Sequence, residues 1–185
     1  PAGWTGKQLE RESGWRFNLT DAEIAEIESA VAAVKARGLD IKDITLADFP
    51  LPTLDAKLAA VKKQVIEGRG VALLRGVPVD RYDIAESAAA YWGLGLRIGA
   101  PVSQNYNGHL LGHVYDLVGP SREAPSTRAY HTRAYLNYHS DSSDVVALLC
   151  LRPAKEGGLS SVASSVAIYN EMLRRRPDLV AELVK

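Results

Sequence analysis

The sequence predicts an α+β chain, a helical N-terminal layer followed by a β-rich region, and three observations carry that prediction. Apolar residues recur at helical spacing in three segments between Thr20 and Leu96. From Pro101 onward the pattern changes to short segments rich in aromatic and β-branched residues, separated by turn residues. The 185 residues are 46% hydrophobic and 24% charged, enough apolar material for a respectable core.

Residues 1–18 read as a surface arm held by Trp4, Trp15 and Phe17. Thr20-x-x-Glu23 is a capping box, and Ile24, Ile27, Val31 and Val34 form one apolar face of the helix it opens, which Gly38 closes. Phe49-Pro50-Leu51-Pro52 is an extended connector, since two prolines at that spacing forbid a regular helix. A second helix runs from Thr53 to Glu67 with Leu54, Leu58, Val61 and Val65 on one face. A short strand at Val71–Leu74 follows, then an alanine-rich helix from Tyr82 to Leu96. Strands are expected near Val102–Asn105, Leu111–Leu117, Ala134–Asp141, Val145–Leu151 and Ser160–Ser165, with a polar loop at Gly119–Thr132 and a last helix at Val166–Arg175.

Composition narrows function. Twenty-two basic residues balance 22 acidic ones, so no global field draws in nucleic acid or an anionic membrane. Arg174, Arg175 and Arg176 sit where a helix ends, which favours cations for structural reasons. No apolar run approaches the ~20 residues of a membrane helix. The single cysteine, Cys150, permits no internal disulfide, fits a reducing cytoplasmic compartment, and is expected to be buried and inert.

Chemistry concentrates at His139-Ser140-Asp141. On a strand, residues two apart project to the same side, which suits two ligands of one metal ion. A bare His-x-Asp arises readily by chance. However, Tyr135, Asn137, His139 and Asp141 share one parity and are all polar, and the apolar run Val145–Leu151 reads as a strand buried on both faces. Parity alone leaves cavity lining and solvent-facing edge equally open. The other motifs resolve to structure. His109-Leu-Leu-Gly-His113 lacks the glutamate of a zinc-protease helix, and Gly93-x-Gly95-x-x-x-Gly99 has the wrong spacing for a dinucleotide fold, so helix packing and a cap explain it. Gly157-Gly158-Leu159-Ser160-Ser161 reads as a turn into a strand, with a hydroxyl that can bind a ligand carboxylate.

Taken together, GRGVALLRGVPVD, the helix ending in LRIGAPVSQN, and YHSDSSDVVALLCLRPAKEGGLSSVASSVAIYNEM resemble the TauD/TfdA group of Fe(II)- and 2-oxoglutarate-dependent dioxygenases. The resemblance implies a double-stranded β-helix, a jelly-roll variant, with residues 1–68 as an arm and helical layer and residues 69–185 as the first part of the catalytic domain. It also implies His139 and Asp141 as two members of a 2-His-1-carboxylate triad, and Ser160 as a residue holding the 2-oxoglutarate carboxylate. Segments matching Gln104-Asn105 and Tyr135 border the family's substrate pocket, and strand parity adds Asn137. The implied reaction takes a small-molecule substrate and O₂, and releases succinate and CO₂. Because halogenating relatives replace the carboxylate, Asp141 points to hydroxylation. Desaturation or cyclisation, or a non-catalytic jelly-roll binding module with a degenerate metal site, are the alternatives. A homo-oligomer is compatible with all of these. The family's distal histidine and 2-oxoglutarate-binding arginine lie C-terminal to the matched region, so the chain is expected to be the N-terminal part of a longer enzyme and inactive by itself.

Overall fold

The computed structural model describes residues 1–105, 107–115 and 135–185. They form two compact units, Pro1–Ala100 with Ala147–Lys185, and Pro101–Val146.

In the first unit, α1 (Gly6–Arg11) opens on a capping box, Thr5 with Gln8, and Trp4 and Leu9 on either side of it are buried, as a hydrophobic staple requires. β1 (Arg16–Asn18) follows, then α2 (Asp21–Arg37). Thr20 and Glu23 form the expected box, and Gly38 ends α2 in the left-handed conformation (φ 62°), which glycine adopts without steric cost. α3 (Leu54–Ile66) leads to β2 (Leu73–Arg75), and the two strands pair in parallel with Arg16 opposite Leu73 and Asn18 opposite Arg75. α2 and α3 thus form the crossover between parallel strands that a hairpin cannot supply. α4 (Ile84–Gly95) is capped by Asp83 with Glu86, and α5 (Ser165–Arg175) and α6 (Pro177–Leu183) complete the unit.

The core lies among α2, α3, α4 and the connector. Ile27, Val31, Val34, Phe49, Leu51, Leu54, Leu58 and Trp92 are buried, while Ile24 and Val65 at the ends of the predicted faces are half-buried. Each indole N–H donates to a backbone carbonyl: Trp4 to Arg69 at 2.8 Å, Trp15 to Leu9 at 3.0 Å and Trp92 to Ile44 at 3.1 Å. Burying an aromatic ring stabilises only if its polar tip finds a partner, and all three do. Arg97 clamps the connector, donating to the Phe49 carbonyl at 2.6 Å, the Gly93 carbonyl at 2.9 Å and the Asp55 carboxylate at 2.6 Å. Asp48 takes hydrogen bonds from the Thr45 hydroxyl and amide and then from Arg37, and these hold its pKa at about 2.

The α3 N-terminus is capped from outside. Thr53 makes no side-chain cap, and Glu26 of α2 accepts from the Thr53 and Leu54 amides at 2.9 and 3.1 Å. Burial works against the Glu26 charge, but these bonds prevail and lower its pKa. Glu26→Ala is expected to lower the stability of the first unit by about 1 kcal/mol, the ordinary worth of a cap, as a reduced urea midpoint with unchanged slope.

The structure departs from the sequence expectations in four places. α1 and β1 occupy what reads as an irregular arm. None of the described residues in 102–105, 111–115, 135–141, 145–151 or 160–165 forms a strand. β-branched residues favour strands mainly by packing on a paired, half-buried surface, and these stretches have no ladder partner among the described residues. For the same reason Val145–Leu151 is not buried: Leu148 is 76% exposed. Cys150, on that run, is exposed as well, contrary to the buried thiol expected. Gly119–Thr132 and His131 lie outside the described residues. The structure does bear out the reading of the arginine cluster. Arg174 and Arg175 pair with Glu171, holding its carboxyl at about 2, and Arg176 pairs with Asp178.

Candidate metal and substrate site

His139 and Asp141 belong to the second unit, and their side chains do lie together: Nε2 of His139 is 4.0 Å from Oδ1 of Asp141. The other ring nitrogen, Nδ1, is 2.8 Å from the Asn137 carbonyl oxygen. A carbonyl only accepts, so Nδ1 carries the proton and donates it. In the neutral form of the ring this leaves the lone pair on Nε2, the nitrogen that faces the carboxylate. A backbone carbonyl fixing the tautomer of a ligating histidine is a common device at metal sites. Both side chains are about half exposed, 55% and 54%.

This donor set fits a metal in part. Two adjacent ligands at about 2.1 Å from one ion and at right angles stand about 3 Å apart, so the pair must close by about 1 Å. Imidazole with carboxylate suits Fe(II). No group of three or more His, Cys, Asp or Glu placed to hold a metal occurs among the described residues. Two donors leave most of the coordination positions of such an ion to be filled from elsewhere.

Of the other predicted site residues, Gln104, Asn105, Tyr135 and Asn137 share the second unit. Tyr135 is 81% exposed, and Asn137 contributes its carbonyl to His139. Gln104 turns its Nε2 back to the Val102 carbonyl at 3.0 Å. The Asn105 side chain is engaged in a local turn: Oδ1 accepts from the Asn107 and His109 amides, and Nδ2 lies 3.0 Å from His109 Nδ1. Ser160 belongs to the first unit and is exposed, just after Gly157 and Gly158, whose φ values of 68° and 66° make the turn read from the sequence. His109 and His113 lie in non-helical backbone, as their flanking glycines imply.

The profile of the family described as "Taurine catabolism dioxygenase TauD, TfdA family" matches residues 36–185. The chain belongs to the TauD/TfdA family. Among TauD/TfdA relatives, FR-33289 synthase of Streptomyces rubellomurinus is 35% identical over 177 residues, covering 96% of this chain and 52% of the relative. A taurine hydroxylase-like protein, SAT17, of Stachybotrys chartarum is 30% identical over 186 residues, covering 97% and 48%. The chain therefore spans about half the length of the curated relatives it matches. TauD/TfdA enzymes generally depend on Fe(II) and 2-oxoglutarate, which agrees in kind with the histidine–carboxylate pair. No helix among the described residues is long and apolar enough to cross a membrane.

Proposed function

We propose that the chain is the part of an Fe(II)- and 2-oxoglutarate-dependent oxygenase that carries two of its three iron ligands, His139 and Asp141, within a double-stranded β-helix domain. The enzyme hydroxylates a small molecule in the cytoplasm. The observation that carries this is the pair itself: a histidine whose tautomer leaves the Nε2 lone pair toward a carboxylate 4.0 Å away, in a chain of TauD/TfdA ancestry. Iron with 2-oxoglutarate and O₂ supplies the oxidation of a C–H bond, with release of succinate and CO₂.

The chain's own residues supply the holding. Asn137, through its carbonyl, keeps the His139 ring in the ligating tautomer. Asp141 would supply one charged oxygen to the iron, which would keep that position from halide and favour hydroxylation over halogenation. The Ser160 hydroxyl, presented by the Gly157-Gly158 turn, is assigned on the family resemblance alone and would donate to a 2-oxoglutarate carboxylate oxygen. Tyr135 supplies an exposed aromatic face for substrate beside the ligand pair in sequence.

Two measurements test the reading. Mn(II), a paramagnetic stand-in for Fe(II), is expected to broaden the amide signals of residues 137–143 selectively, and Asp141→Ala and His139→Ala are each expected to remove that effect. Broadening spread over the other carboxylates would overturn the metal assignment. O₂-dependent succinate release from 2-oxoglutarate, lost in both variants, is expected of the whole oxygenase of which this chain is the proposed part, and not of the chain alone. Metal binding by that whole protein without any succinate release would instead favour a binding module with a degenerate site.

A further inference from the structure

The turn around Asn105 and His109 carries a second, separate piece of chemistry. Asn105 is half-buried and His109 is exposed. Oδ1 of Asn105 accepts from the backbone N–H of Asn107 at 3.0 Å and of His109 at 3.2 Å. Backbone amides only donate, so these two bonds settle which end of the Asn105 amide is oxygen. Its Nδ2 must then be the donor in the 3.0 Å contact to His109 Nδ1, and that ring nitrogen must accept. A neutral imidazole that accepts at Nδ1 carries its proton on Nε2. Around this contact the backbone is closed by Gln104 N–H to the His109 carbonyl at 2.7 Å and by Gly108 N–H to the Asn105 carbonyl at 3.0 Å. The Ser103 hydroxyl adds a further bond to that Asn105 carbonyl at 2.6 Å. The ring is thereby oriented, its tautomer is set, and Nε2–H has no other partner among the described residues.

Among the described residues, the two histidines of this unit whose hydrogen bonds define a tautomer have opposite ones. His139 donates a hydrogen bond to a carbonyl and presents a lone pair. His109 accepts a hydrogen bond from an amide and presents an N–H. The first suits a metal, and the second suits an oxygen acceptor.

We propose that His109 is a substrate-recognising residue of this protein, donating its Nε2–H to an anionic oxygen of the small molecule, and that Asn105 is its positioning residue and not a direct substrate contact. Recognition of an organic substrate rests on the oxygenase reading above, but the tautomer and the oxyanion contact do not need iron, 2-oxoglutarate or turnover.

Long-range ¹H–¹⁵N spectra of the chain at neutral pH, without metal, read the tautomer directly. Wild-type His109 is expected to be protonated at Nε2 to a clearly greater extent than the unheld His113, and Asn105→Ala is expected to bring His109 to the ratio that His113 shows. His113, exposed four residues further on, serves as the internal control. Acetate and methanesulfonate are then titrated as oxyanion probes. A saturable shift at His109 Nε2 is expected, absent at His113, and weakened about twofold or more in Asn105→Ala, as the fraction of rings held in the binding-competent tautomer and orientation falls. A wild-type His109 protonated at Nδ1, a tautomer unchanged in Asn105→Ala, or equal shifts at His109 and His113 would each overturn the proposal. If no succinate is ever released but the tautomer and probe results hold, the oxygenase reading falls and this one stands.

Discussion

Gly93→Ala is expected to destabilise the first unit by about 2–3 kcal/mol, although the same change inside an exposed helix ordinarily stabilises by up to about 1 kcal/mol. The reason is Phe49. A Cβ added at Gly93 would lie within 2.6 Å of three atoms of its ring, and Phe49 is fully buried. Carbon atoms at rest stand about 3.5–4.0 Å apart, so the ring or the helix must move by about 1 Å. The ring has little room to yield. Its own carbonyl is held by Arg97, which also holds the Gly93 carbonyl. Gly95, in the same helix with open space around its Cβ, is the control, and Gly95→Ala is expected to change stability by less than about 0.5 kcal/mol. Urea titration of both variants measures the difference. The double variant Gly93→Ala with Phe49→Leu is expected to recover part of the loss, as residues in contact should. Equal midpoints for the two alanine variants would show that Phe49 does not pack there.

The second large effect is expected at Lys57. Its ammonium pairs with Glu23, whose side chain is only 6% exposed, and also donates to the Asn18 carbonyl at 2.7 Å. One lysine thus joins α3 to the start of α2 and the end of β1. Burial alone would raise the Glu23 pKa. The bonds from Lys57, then those from the Thr20 amide and hydroxyl, outweigh it and bring the pKa below 4.5. Lys57→Met leaves a buried carboxylate without its counter-ion, and a loss of about 2–3 kcal/mol is expected near neutral pH, below the full range for a buried pair because Lys57 is partly exposed. The sign with pH follows from linkage. A carboxylate with a depressed folded pKa contributes its stability above 4.5 and loses it as pH falls through the folded value. The Lys57→Met penalty is therefore expected to be largest at neutral pH and to shrink below pH 4.5, since a protonated Glu23 needs no counter-ion. Thermal melts at several pH values check this; a penalty that stays constant down to the acid limit would mean that the ammonium acts through the Asn18 carbonyl and not through Glu23.

What the sequence made legible was local. Thr20-x-x-Glu23 and Gly38 mark the two ends of α2 because cap chemistry acts within one turn. Thr5-x-x-Gln8 is the same signal, hidden among glycines and charges on a helix too short to show a periodic face. β1 was not readable: three residues carry no period, and their pairing with β2 is made across two intervening helices. The strands expected after Pro101 are absent among the described residues for the converse reason. Their residue types fit a sheet, but a strand is a property of two segments. At the site, His139 and Asp141 do lie side by side, 4.0 Å apart, but not through the strand alternation that their spacing suggested, since 135–141 forms no strand. The role of Asn105 was out of reach, because it depends on which end of an amide meets which backbone N–H.

The placement of the tryptophans has a practical corollary for anyone measuring this protein. All three, Trp4, Trp15 and Trp92, lie in the first unit, and residues 101–146 contain none. Indole fluorescence is therefore a reporter of the helical unit alone. A melting curve recorded that way would be silent about the segment bearing His139 and Asp141, and a ligand that touched only that segment would leave no trace in indole fluorescence. A tryptophan introduced at Tyr138, an exposed aromatic position between Asn137 and His139, would give that segment a signal of its own.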